Sequence, residues 1–174
     1  MSRVVLETER LYLREIEPED LDFFAEMLGD SETMAFWPRP LSRSEAKDGI
    51  ERHRQRYADH GYGYWLVVRR ADRVPIGQAG LLHQEVEGES MTGLGYMIHY
   101  PYWGQGYAIE AARACLDHAF SYLRLGSIRV LIRPENLRSV HLAQKLAATF
   151  VKRTEYAGFV HDVYEVTPMP LGKI

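Results

Sequence analysis

The chain has 174 residues, 46% hydrophobic and 26% charged, with a formal net charge of −3 and an isoelectric point near 6.2. That is enough for one domain with a real core, residues 1–174, and too little for two ordinary ones. No apolar run approaches the ~18 residues of a membrane-spanning helix, and the basic residues are scattered among carboxylates rather than gathered in the stripe of a nucleic-acid binder.

The opening "MSRVVLETERLYLREI" lacks the basic, apolar and small-residue order of a signal peptide, so a cytoplasmic location is expected. Within it "RLYLREI" alternates and reads as a strand. "PEDLDFFAEMLGD" places Leu21, Phe24 and Leu28 at helical spacing with Gly29 near the end. The stiff "MAFWPRPL" follows, where Phe36 and Trp37 read equally as core or as the wall of a binding site. Ser42 and Glu45 fit a capping box opening a second helix, with Ala46, Ile50 and Tyr57 inward and the basic "RHRQRY" read as a solvated face. "YWLVVRR", "VPIGQAGLLHQEV" and "TGLGYMIHY" read as three consecutive antiparallel strands. Ile109, Ala112, Leu116, Phe120 and Leu123 then recur at helical spacing. "SIRVLIR" is a buried strand, "NLRSVHLAQKLAA" a helix, and "TFVKRTEY" with "FVHDVYEV" a closing hairpin. The order β-α-α-β-β-β-α-β-α-β-β predicts an α/β fold (α+β, one mixed sheet), neither doubly wound nor a barrel.

Cys115 is the only cysteine, which excludes an intrachain disulfide and a cysteine zinc cluster. It lies in the helical run "AARACLDHAF", where a buried hydrophobe is the expected role rather than a nucleophile. His53 and His60 are separated from any third ligand, so no metal is expected.

The turn "YWGQGYA" between a strand and a helix is the place to look for phosphate. It is no Walker loop, because no Gly-Lys-Ser/Thr is present, and no dinucleotide fingerprint, because Ile109 stands where the third glycine belongs. Gly104, Gly106 and Ala108 still let backbone N–H groups approach an anion at a helix start. On the turn alone, an anion site and an ordinary tight turn both stand.

"YMIHYPYWGQGYAIEA" resembles motif A of the GNAT acetyltransferase superfamily, with Gly106 and Ala108 at the conserved small positions and Trp103 at a Gln/Arg position. That tryptophan, the opening "ETERLYLREIEPEDLDFF", and "RPENLRSVHLAQKL" are similar to the branch of RimJ/RimL-type ribosomal-protein N-acetyltransferases. The resemblance implies a GNAT fold with acetyl-CoA in a V-shaped cleft between the fourth and fifth strands, "GLGYMIHY" and "SIRVLIR". It implies pantetheine against Met97, Ile98 and His99, and pyrophosphate on Trp103, Gly104, Gln105, Gly106, Tyr107 and Ala108. Asn136 and Ser139 fall near the thioester, with Ser139 as the acid because Ala143 occupies the usual tyrosine position. The usual strand carboxylate aligns with Gly93, which leaves His83, Glu85, Glu87 and His99 as candidate bases. Ala147 replaces a glycine and is expected to strain the turn if its φ is positive. The acceptor implied is a primary amine, first a protein or peptide N-terminal α-amine and next a small amine such as a polyamine, amino acid or antibiotic. A CoA-binding sensor without turnover remains an alternative, and homodimers are common among such relatives. The acidic "EVEGES" run suits a cationic acceptor only if it lines the cleft.

Overall fold

Strand alternation assigns each residue of the sheet to one of two cores. A computed structural model describes residues 2–169. Its strands are β1 (Val4–Glu7), β2 (Leu11–Arg14), β3 (Tyr64–Arg69), β4 (Pro75–Val86), β5 (Glu89–Ile98), β6 (Ile128–Ile132), β7 (Thr149–Tyr156) and β8 (Phe159–Val166). They form one sheet in the order β1-β2-β3-β4-β5-β6-β8-β7. Helices α1 (Leu21–Gly29) and α2 (Arg43–His60) cover one face, and α3 (Tyr107–Asp117) and α4 (Leu137–Lys145) the other. Trp65 and Val67 of β3 join the core under α3, whereas Leu66 and Val68 join Phe24, Met27, Ala46 and Ile50 under α1 and α2.

The mixed sheet matches the expectation except for an added strand. β1 is four residues long and its register shifts between Val4 and Leu6, so "VVLE" carries no clean alternation. The fourth and fifth strands of the sequence reading are therefore β5 and β6. α2 opens on the expected capping box: Glu45 N–H donates to Ser42 Oγ and Ser42 N–H to the Glu45 carboxylate. Cys115 is fully buried, and burial pushes its thiol far up, as a packing residue requires. Ala147 has a φ of 58°, so the strain of an alanine in the left-handed region, on the order of 1 kcal/mol, is present in this turn. Among the described residues no helix is long and apolar enough to cross a membrane.

One pairing positions the site. β5 is laddered to β4 along its whole length, from Glu89 opposite Val86 to Ile98 opposite Gly77. On its other edge it meets β6, in parallel, only where Gly93 lies opposite Arg129. Beyond that pair the strands diverge, and the β6-facing backbone edge of residues 94–98 is left without a strand partner. The helices α3 and α4 begin on either side of this gap.

Candidate active site

The gap opens on two connected cavities. The first, about 300 Å³, is a groove lined by Tyr96, Met97 and Ile98 of β5, the loop from Tyr102 to Ile109 apart from Gln105, and Asn136, Arg138, Ser139, Leu142 and Lys145. The second, about 570 Å³, lies on the α2 side, between that helix, the floor of β4 and β5, and the β7–β8 hairpin. They share Phe36, Trp37, Tyr96, Met97, Asn136 and Ser139. Trp37 is 52% exposed, which settles that it walls the cavities rather than filling the core.

At the loop end of the groove the backbone is prepared for an anion. Gly104 and Gly106 have φ near 75° and 78°, values that glycine adopts without strain. Gly106 is the N-cap of α3 and provides no side-chain cap, so the first N–H groups of that helix are left for a ligand. The loop is braced from outside. Arg10 donates to Gln105 O at 2.8 Å, stacks over Tyr107 at 4.6 Å, and is held by Glu110, which also accepts from Thr8 Oγ1 at 2.7 Å. Trp103 closes the other side. Its indole N–H donates to Ile98 O at 2.6 Å, and Arg138 lies over its ring at 4.5 Å. Arg138 and Lys145 are the groove's cations, and among the described residues neither has a carboxylate partner. The sequence reading did not single them out. An anion-ready helix start, an unpaired strand edge and two cations fit a phosphorylated, amide-bearing chain such as CoA.

Not every expected residue reaches the groove. His99 is 5% exposed, packed edge-on to Phe23, and does not line it. Gln105 contributes its carbonyl to Arg10 and is likewise outside the lining.

At the junction, Asn136 caps α4 by accepting from Ser139 N–H at 3.2 Å. Ser139 is thus not the cap, and its hydroxyl has no protein partner among the described residues. Its backbone carbonyl accepts from the Tyr96 hydroxyl at 3.4 Å, across the gap. Burial pushes Tyr96 up to about 12, so it stays a donor.

The strand carboxylate has no counterpart here. A Cβ on Gly93 would stand 2.6 Å from Gln84 Nε2, and one on Gly95 would fall on the Tyr64 hydroxyl, so Gln84 and Tyr64 fill the space above these glycines. His83 and Glu85 do not replace it. Leu82 and Gln84 line the cleft, and alternation turns His83 and Glu85 to the opposite face, where His83 stacks on His60 at 4.7 Å. Glu87 is bound by Lys152 and Thr154, both at 2.6 Å, and also lies outside the cleft.

Two histidines do line it, and a fixed partner sets the tautomer of each. His53 Nδ1 lies 3.2 Å from Arg56 Nη1; a guanidinium only donates, so Nδ1 accepts and Nε2 carries the hydrogen. His161 Nδ1 lies 2.9 Å from the Phe159 carbonyl, which only accepts, so Nδ1 is the N–H and Nε2 keeps a free lone pair. His161 sits in a strand where no local pattern marks it.

Burial first, then the charges of Arg56 and Arg52, pull His53 from 6.5 down to about 3. The unfolded chain protonates this ring below 6.5 and the folded one only near 3, so stability is lost as pH falls through that window. Between about pH 7.5 and about pH 5, wild type should lose roughly 2 kcal/mol more than His53→Phe in urea titrations. Parallel losses in the two proteins would show that His53 is not the responsible group.

The description "Acetyltransferase (GNAT) domain" matches residues 10–149. The chain belongs to the GNAT family. It is an acetyl-CoA-dependent N-acetyltransferase. It is 31% identical over 147 residues to an uncharacterized N-acetyltransferase, p20, of Bacillus licheniformis, covering 82% of this chain and 80% of that protein. It is 22% identical over 154 residues to the spermidine N(1)-acetyltransferase of Escherichia coli K12, covering 87% and 80%. In fold it is similar to the ribosomal-protein-S5-alanine acetyltransferase of Vibrio fischeri, with a TM-score of 0.76 at 18% identity over 95% and 97% of the two chains. In this GNAT domain no group of three or more His, Cys, Asp or Glu among the described residues is placed to hold a metal ion.

Proposed function

We propose that this enzyme acetylates the N-terminal α-amine of a protein or peptide, within the RimJ/RimL-type branch of the family. The observation that carries the reading is the meeting of the groove and the acceptor cleft at Met97, Asn136 and Ser139. Acetyl-CoA supplies the acetyl group as a thioester. The backbone from Trp103 to Ala108 holds its pyrophosphate with Arg138 and Lys145, and the strand edge at Met97 and Ile98, apart from the Ile98 carbonyl that Trp103 holds, orients its pantetheine arm.

The amine enters from the cleft and must be neutral to attack. At pH 7, deprotonation costs about 1 kcal/mol for an α-amine and about 4.6 kcal/mol for a lysine-like amine. The cleft has little to offset the larger figure. Glu45, its one lining carboxylate among the described residues, is held by Arg39 and pulled down to about 2. His53 is closed by Arg56. His161 Nε2 is the open lone pair, and we assign it as the base that receives the amine proton. Ser139 Oγ, unpartnered at the junction, delivers a proton to the departing sulfur.

The test is CoA thiol release with peptides of varied N-terminal residue, blocked-N-terminus lysine peptides, spermidine and free amino acids. Release with free N-terminal peptides above the others is expected. Release only with spermidine would redirect the reading to small amines, and none at all, from protein that binds acetyl-CoA, would overturn it.

A further inference from the structure

The acceptor cleft carries a charge pattern that a general amine site does not need. Its cations are Arg52, Arg56 and Arg133. Arg133 is held at its terminal nitrogens, donating to Phe36 O at 3.0 Å and pairing with Glu135 at 3.6 Å, and lies over the Phe159 ring at 4.5 Å, while its buried Nε has no partner. Arg52 and Arg56, one turn apart on α2, have no carboxylate within ion-pair distance among the described residues. Their neighbours Arg54 and Gln55 turn outward, to Glu51 and Asp59. Glu45, the carboxylate on this helix that lines the cleft, is already paired with Arg39, so Arg52, Arg56 and the His53 Nε2–H are the donors this wall has to offer.

The floor offers the complement. Gln78 is 6% exposed and lines the cleft, and its Oε1 is a buried acceptor without a partner. A buried amide oxygen is rarely left unpaired unless a ligand or water completes it. Gln78 lies opposite Met97, at the groove junction, so its oxygen is suited to an amine N–H at the point of reaction. His53 stacks on Tyr64, whose strand position is opposite Gly80, two residues along β4 from Gln78. The acceptor oxygen and the arginines thus belong to different walls of one cleft, the floor strand and α2.

We propose that the acceptor is an amine that also bears a carboxylate, with the amine on Gln78 Oε1 and the carboxylate bound by Arg52 and Arg56. This rests on the acetyl-transfer reading above. An acidic side chain at the first or second position of a peptide supplies such a carboxylate beside its amine. Guanidinium forks are the side chains best shaped for such a carboxylate. A polyamine meets the wrong charge.

The experiment compares kcat/KM for Ser-Glu, Ser-Gln and Ser-Lys peptides of otherwise identical sequence, with free glutamate and spermidine as further arms. Wild type is expected to prefer Ser-Glu over Ser-Gln by about tenfold, with Ser-Lys poorest. Arg52→Gln/Arg56→Gln should bring Ser-Glu down to the Ser-Gln value, and Arg56→Glu should favour Ser-Lys. Free glutamate outperforming every peptide would keep the carboxylate site and assign it to a small acceptor. Equal rates for the three peptides, or a preference for Ser-Lys or spermidine in wild type, would overturn the carboxylate site while leaving acetyl transfer intact. Absence of any acetylation by protein that binds acetyl-CoA would remove both.

Discussion

Gly80→Ala is expected to lower the melting temperature by roughly 6–12 °C, the equivalent of about 3 kcal/mol for a chain of this size. A Cβ at this position would fall on the Gly63 carbonyl oxygen and stand 2.8 Å from Tyr64 Cα. Both obstacles are backbone, so no rotamer change relieves them, and β3 must separate from β4 at the Tyr64–Gly80 pair. Because Tyr64 reaches from this pair across to Gly95 and supports His53, the acceptor cleft should lose its floor along with stability. Gly126→Ala is the control, since a Cβ there meets nothing within 4 Å and the residue's φ is not in the left-handed region. A thermal melt of Gly80→Ala superimposing on wild type would show that the strands relax more cheaply than the geometry implies.

The parts of this architecture that were legible in the sequence are those set by neighbours along the chain. The Ser42–Glu45 box and the glycine loop each depend on residues a few positions apart and stand where the pattern put them; of the α3 stripe, Ala112 and Leu116 are on the buried face, whereas Ile109 is only partly buried and Phe120 and Leu123 lie beyond the helix end at Asp117. β1 escaped because four bulged residues give no period to read. The candidate bases failed on parity alone: Leu82 and Gln84 face the cleft, so His83 and Glu85 cannot. "RHRQRY" reads as one solvated face, yet Arg52, His53 and Arg56 share the side of α2 that turns to the cleft. His161 and Gln78 come from strands distant in sequence, and only sheet pairing brings them to one cavity. The groove was read from a local motif; the acceptor cleft is a product of topology.

Two proton roles assigned to the site should separate in one pH profile. His161→Gln is expected to reduce kcat/KM for an N-terminal peptide about 100-fold at pH 7. The loss should shrink to about tenfold or less near pH 9, because an α-amine with a pKa of ~7.8 is by then largely neutral without help. Ser139→Ala is expected to lower kcat about 100-fold with little change in KM for acetyl-CoA, and alkaline pH should not repair it. Removing the hydroxyl leaves the Asn136 cap and the Tyr96 bond intact, because both use the backbone of residue 139. The helix start is therefore preserved, and the loss measures the proton alone. Tyr96→Phe is the converse variant: the serine hydroxyl remains but its backbone anchor is gone, so KM for acetyl-CoA should rise together with a smaller fall in kcat. If Ser139→Ala retains wild-type kcat while Tyr96→Phe loses it, the sulfur's proton comes from the tyrosine that burial keeps protonated, and the serine is only the residue it holds.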